Sequence, residues 1–437
     1  MTSSLLKGLE ECKKEYTYYK GYYLNNATNE NLLLEAEEGC RGCDVVVIAA
    51  GLTEEYEAEG FDRRNMKIPD AQNRLIDRIT GVNPNVVVVL FGGAPMEMPW
   101  AGRIKGLLHM YLPGQAGGLA AAELLLGIKN PCGKLAESYP LRYKDAPAAG
   151  FYGKTGKQAQ YRESVFVGYR YYDKLDRDVL FPFGFGLSYT KFEYTGMRLS
   201  KTEIVPGDGT DCTVSLRNAG GVPGAEIVQV YVSKPAPGPL RELAGFAKVF
   251  LEPGEEAEVC IRLEPDVFLS YAAEAGEFVL VDGEYAIFAG SSSRNLLFSK
   301  SLTARGAAVP ESGLDEYIRG ELTQQAFEQL LNRPILPGER CVRGSYTREN
   351  SLAEMRDIWV TRLIVRYARR TLRRENKLHN DHPLFVMMMD VLINTPVGRF
   401  PLMSRDKMPN WVIRLLLNIE NGRFWFAREK NPGKCHD

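Results

Sequence analysis

Apolar residues recur along the first 150 positions in two rhythms. Residues 43–51 (CDVVVIAAG) and 85–93 (NVVVVLFGG) are unbroken apolar runs bounded by turn formers. Runs of that length suit strands covered on both faces, as in a parallel sheet. Between them, residues 70–79 carry apolar side chains at helical spacing behind an acidic start, which predicts a helix. A third apolar stretch, residues 104–112, leads through Pro113-Gly114 into the Ala- and Leu-rich segment 115–126, a further helix. Strand, helix, strand, strand, helix predicts an α/β sandwich over residues 1–150.

The rhythm then changes twice. Residues 151–191 have no periodicity, but Tyr169, Tyr171, Tyr172, Phe181, Phe183 and Phe185 point to an ordered connecting segment that packs on the first domain. Residues 192–304 alternate apolar and polar positions in short runs at 211–217, 226–233, 257–263, 277–281 and 285–289. Asn218-Ala219-Gly220-Gly221, Pro253-Gly254 and Asp282-Gly283 supply turns between them. That spacing predicts an all-β sandwich of immunoglobulin or fibronectin type III kind, without the Cys–Trp–Cys pattern of a true immunoglobulin domain. Residues 305–437 read as a helical C-terminal extension. Its main helix is expected over 351–378, with Leu352, Met355, Ile358, Trp359, Leu363 and Val365 as the apolar face, and shorter helices over 384–392 and 411–417.

Composition narrows the function classes. The chain has 437 residues, 45% hydrophobic and 25% charged, which is globular. Fifty-four Lys and Arg against 55 Asp and Glu give a net charge of −1, and such a balance argues against nucleic-acid binding by bulk charge. No run of about 18 apolar residues is present, so no membrane span is expected. The first residues lack a basic start followed by an apolar core, and eight Cys in this length are not a disulfide framework. A cytoplasmic, reduced protein is the expectation. Cys40-Arg41-Gly42-Cys43 has no second pair at zinc spacing, so no metal or other cofactor is expected.

The candidate chemistry lies just after the first strand. In Glu54-Glu55-Tyr56-Glu57-Ala58-Glu59-Gly60-Phe61-Asp62-Arg63, five acids fall within nine residues. Sites in α/β sheets gather beyond the carboxyl ends of strands, and an aromatic neighbour can raise a carboxyl pKa toward the range a general acid needs. A solvated acidic loop is the other reading of the same residues. Further along stand Ile68-Pro69, Asn83-Pro84-Asn85, Gly93-Ala94-Pro95-Met96-Glu97-Met98-Pro99-Trp100, Pro113-Gly114-Gln115 and Asn130-Pro131-Cys132-Gly133-Lys134-Leu135. Val167-Gly168-Tyr169-Arg170-Tyr171-Tyr172-Asp173 and Phe181-Pro182-Phe183-Gly184-Phe185-Gly186 complete the series. In this order the motifs resemble the C-terminal α/β-sandwich domain of glycoside hydrolase family 3, in its β-glucosidase branch. The strands after residue 192 resemble that family's fibronectin type III-like domain, and the resemblance covers roughly residues 5–303.

The resemblance implies a retaining hydrolase of terminal β-linked glucosides or xylosides, with Glu59 as general acid/base and Glu57 as its nearest competitor. Tyr56 and Trp100 would line the sugar site or serve in packing, and Asp62 and Arg63 would brace the loop as an ion pair. The family's nucleophile belongs to a (β/α)8 barrel of about 250 residues, for which no segment here has the pattern. The expectation is a chain that is weak or inactive alone and pairs with a barrel-bearing chain or with itself. Its alternative is a non-catalytic carbohydrate- or partner-binding module.

Overall fold

The two unbroken apolar runs become adjacent strands of a parallel sheet in a computed structural model. It describes residues 3–58, 62–63, 65–153, 158–309, 312–319, 322–335, 342–356, 358–376, 382–403 and 408–423. Two compact units emerge. One comprises Met1–Gly51 and Asn65–Leu336, the other Leu52–Arg64 and Pro337–Asp437.

The first unit opens with α1 (Leu5–Glu11) and α2 (Glu30–Cys40), each started by a side-chain cap, Ser4 and Asn29. There follow β1 (Val46–Gly51), α3 (Asp70–Val82), β2 (Val86–Phe91), β3 (Gly106–Tyr111) and α4 (Gly117–Leu125). The strands pair in parallel in the order β1-β2-β3. Leu33, Ala36 and Cys40 of α2, and Ala71, Leu75, Ile76 and Ile79 of α3, are buried at helical spacing, which is the amphipathic pattern that docks a helix on a sheet. Asn83, buried behind α3, donates to the carbonyls of Cys40 and Cys43 and accepts from Asn85 N–H. That one side chain ties the end of α2 to the entries of β1 and β2.

The connecting segment is ordered where described. Its β4 (Tyr139–Pro140) pairs with β5 (Val179–Phe181) across α5 (Tyr169–Lys174). Tyr169 stacks on Phe183 at 4.6 Å, and its hydroxyl accepts from Leu243 N–H at 2.8 Å. The β-sandwich follows, with β6 (Phe192–Leu199), β7 (Glu203–Ile204), β8 (Thr210–Asn218), β9 (Gly224–Ser233) and β10 (Glu242–Leu251). It continues through β11 (Glu256–Leu263), the hairpin β12 (Leu269–Ala272) and β13 (Glu277–Leu280), β14 (Gly283–Gly290) and β15 (Leu296–Ala304). A five-stranded sheet, β10-β9-β14-β15-β7, faces a three-stranded one, β11-β8-β6. Val214, Leu216, Val230, Val232, Tyr285 and Ile287 fill the space between them. Residues beyond 304 stay in this unit as far as Leu336. There α6 (Leu314–Arg319) and α7 (Gln324–Leu330) bury Tyr317, Ile318 and Phe327 with Phe151 and Phe166.

The second unit contains α8 (Trp359–Asn376), α9 (Pro383–Asn394), α10 (Phe400–Met403) and α11 (Asn410–Glu420). Its core is Leu352, Met355, Ile358, Val397, Phe400, Ile413, Leu416 and Leu417. The α/β sandwich, the fibronectin type III-like sandwich and the helical C-terminal region are thus all present.

One expected element is corrected. The helix predicted over 351–378 begins only at Trp359. Ser351 and Glu354 do form a reciprocal capping pair, but residues 352–356 continue as turns that still bury Leu352 and Met355. This offset rotates the helix, so Trp359 (64% exposed) and Leu363 lie on its outer face while Ile358 and Thr361 face inward.

Candidate functional site

The acidic loop leaves β1 at a fixed point. Gly51 has φ +152°, and a Cβ there would collide with the Phe91 carbonyl oxygen, so the position requires glycine. The buried Gln72 amide accepts from Gly51 N–H at 2.8 Å and donates to Gly51 O at 2.9 Å. The chain re-enters the first unit through Glu97 N–H donating to Met66 O at 2.8 Å and a parallel bridge between Lys67 and Glu97.

Within the loop, Thr53 O accepts from Tyr56 N–H at 2.8 Å and Glu57 N–H at 3.0 Å, which closes a single turn. Glu54, Glu55 and Asp62 are exposed, whereas Tyr56, Glu57, Ala58 and Arg63 are half-buried. Asp62 and Arg63 both have partners. Glu59, with Gly60 and Phe61, lies outside the described residues.

Trp100 is not a lining residue. It has no exposed surface, and its Nε1–H donates to Asn73 Oδ1 on α3 at 2.9 Å. Of its two expected roles, packing is the one it fills, because a fully enclosed ring offers no face to a sugar.

A polar group missed in the sequence stands on β3. His109 Nε2 is 2.6 Å from Tyr139 Oη, its Nδ1 is 3.3 Å from Leu90 O, and its ring lies 3.9 Å from that of Tyr111. Burial raises the pKa of both Tyr111 and the nearby Glu137. The signal was a single His inside the apolar stretch 106–111.

The Asn130–Leu135 motif fastens the two sandwiches of the first unit. Asn130 Oδ1 accepts from Ser188 Oγ and Tyr189 N–H, and its amide donates to Pro223 O. Lys134 Nζ pairs with Glu226 of β9 at 2.9 Å and donates to Gly186 O at 3.0 Å, with side chains only 10% and 7% exposed.

Among the described residues no group of three or more His, Cys, Asp or Glu is placed to hold a metal ion. Cys40 is buried, and Cys43 Sγ donates to Gly39 O. No helix among the described residues is long and apolar enough to cross a membrane.

Comparison with known proteins agrees with the order of the motifs. The family model of the glycosyl hydrolase family 3 C-terminal domain matches residues 2–189, and that of the fibronectin type III-like domain matches residues 226–293. Thermostable β-glucosidase B of Acetivibrio thermocellus is 42% identical over 294 residues, 66% of this chain and 39% of that protein. Probable β-glucosidase I of Aspergillus flavus is 41% identical over 279 residues, 62% of this chain and 33% of its own. The chain therefore spans between a third and two fifths of these curated relatives. Among solved structures, the family 3 β-glucosidase of Bifidobacterium adolescentis superposes with TM-score 0.66 at 33% identity. That match covers 83% of this chain and 49% of the other, so it extends into the second unit. The β-glucosidase of Kluyveromyces marxianus in complex with glucose gives TM-score 0.60 at 37% identity, over 63% of this chain and 33% of the other.

Proposed function

Because the chain belongs to glycoside hydrolase family 3, through its C-terminal domain and its fibronectin type III-like domain, we propose that it contributes the proton-transfer half of a retaining β-glucosidase site. The carrying observation is the acid-rich loop leaving the carboxyl end of β1 between two fixed anchors. Glu59 is its general acid/base, and Glu57, half-buried in the loop turn, is the second candidate.

In the first step a carboxylate nucleophile attacks the anomeric carbon, the glycosidic C–O bond breaks, and Glu59 delivers its proton to the departing oxygen. In the second step Glu59, now ionised, takes a proton from water as that water displaces the nucleophile and releases the sugar. Retention requires the two carboxyls about 5–5.5 Å apart. The parallel sheet β1-β2-β3 has three strands among the described residues, not the eight of a barrel, so the nucleophile is assigned to a barrel domain outside these 437 residues, which alone are expected to turn over slowly.

The test supplies a family barrel domain and compares two aryl β-glucosides. Glu59→Gln should lose about 10²–10⁴-fold on a substrate whose leaving group needs a proton. In kcat/KM, which reports the first step alone, it should lose far less on a dinitrophenyl glucoside, whose leaving group needs no proton, while kcat falls there too because the second step lacks its base. Equal losses in kcat/KM on both, or a loss found only for Glu57→Gln, would remove Glu59 from the role. A carbohydrate-binding module would show neither effect.

A further inference from the structure

We infer that the helical C-terminal region is the positioning element of the acidic loop. The inference rests on the reading above, in which this loop carries the acid/base.

Three observations converge. The loop is pinned at its two ends by the Gln72 clamp on Gly51 and the Lys67–Glu97 bridge. Between those points, Leu52–Arg64 forms one compact unit with Pro337–Asp437. Second, the loop cannot bury itself. Its only backbone bonds of its own among the described residues close one turn on Thr53 O, yet Tyr56, Glu57, Ala58 and Arg63 are half-buried. A stretch this short and this acidic would be solvated along its length without a surface to lie on.

Third, the charges complement each other. Residues 52–64 hold five acids and two Arg, whereas residues 337–437 hold nineteen Lys and Arg against eleven Asp and Glu. From Trp359 to Arg374, α8 carries Arg362, Arg366, Arg369, Arg370, Arg373 and Arg374 and no acid. A net positive charge favours an anionic segment that belongs to the same compact unit, and that attraction fades only beyond a Debye length of about 8 Å.

The region is also built to be stiff. Leu352, Met355, Val397 and Ile413 are wholly buried in its core, and Thr361 Oγ1 donates to the buried Glu420 carboxylate at 2.6 Å. A proton donor must be held within about 0.5 Å of its productive position. A lone turn between two anchors does not provide that, whereas a packed helical core does.

Native-state hydrogen exchange on the full chain tests the assignment. With rising urea, the Tyr56 and Glu57 amides should open together with those of α8 and α11, as one cooperative unit. Leu417→Ala, in the core of the helical region, should speed exchange in both places by the same factor, roughly thirtyfold or more. Amides of β2 should be unchanged, and Leu417→Met should restore most of the protection. With a barrel supplied, Leu417→Ala should lower kcat while KM holds.

The inference is overturned if the Tyr56 and Glu57 amides follow β1 and α3 instead, or ignore Leu417→Ala while α11 responds. Should Leu417→Ala fail to fold, the urea series on the unaltered chain decides alone. Exchange does not depend on which carboxyl donates the proton. The leaving-group comparison with Glu59→Gln can therefore fail while this result stands, and the reverse.

Discussion

Lys134→Met should destabilise the first unit by about 3–5 kcal/mol, because it strands the Glu226 carboxylate in a site that water barely reaches. The pair sits at 2.9 Å with both side chains at least nine-tenths covered. Lys134 also satisfies Gly186 O, so its loss removes a second acceptor's partner. What remains around Glu226 is the Tyr194 hydroxyl, donating to its Oε1 at 3.5 Å, too long to replace an ammonium. Burial, reinforced by the Glu226 charge, already pushes the Tyr194 pKa far up, so that hydroxyl stays a neutral donor. The double variant Lys134→Met with Glu226→Gln removes both charges and keeps an acceptor for Tyr194. It should recover to within about 1–2 kcal/mol of the original chain, since well-packed neutral replacements of buried pairs are often tolerated. Urea unfolding at unchanged slope is the assay. With a slope of about 2 kcal/mol per M, the single variant should lower the midpoint by roughly 1.5–2.5 M and the double variant by less than about 1 M. A single-variant loss under about 1 kcal/mol, or a double variant worse than either single one, would refute the reasoning.

Two further outcomes follow from buried groups. Trp100→Phe leaves Asn73 Oδ1 without its donor and should cost about 1–3 kcal/mol by the same urea assay. Glucose affinity, read by calorimetry with a barrel supplied, should be unaltered; a weakened affinity would return Trp100 to the sugar site. Burial raises the Glu420 pKa against the opposing pulls of the Thr361 hydroxyl and Arg343. The folded form then binds that proton more tightly than the unfolded one. This stabilisation is complete below the ordinary carboxyl range and declines as pH rises through the raised value. Thermal scans from pH 4 to 7 should show the helical region losing stability with pH and Glu420→Gln flattening the slope. An unchanged slope in that variant would exclude Glu420 as the cause.

Local patterns carried much of the fold. Continuous valine-rich runs marked β1 and β2, since only doubly covered strands tolerate them, and the motif order marked the family. Side-chain direction was harder to read. Trp100 lies in a Pro- and Met-rich stretch whose spacing does not distinguish a ring facing a sugar from one facing α3. Ser351 and Glu354 present a true helix-start signature, yet the chain turns for several more residues to bury Leu352 and Met355. Tertiary packing overrode the local signal there, and the apolar face came out rotated. The boundary near residue 304 followed composition, whereas α6 and α7 find their partners at Phe151 and Phe166, some 150 residues away and invisible to any local window. The grouping of the loop with the helical region spans a still longer separation. Of the candidate site, the sequence made the loop and its acids legible. It did not reveal the Gln72 clamp, because a buried glutamine on a helix face has no pattern of its own.

The discontinuous second unit also sets a timetable for biosynthesis. Roughly 270 residues separate its two pieces, so at about 5–20 residues per second the ribosome makes the later one some 15–50 s after the earlier. During that interval the acidic stretch must remain in water beside a growing nascent chain. Its dense negative charge is unfavourable for strand pairing and for collapse over that interval.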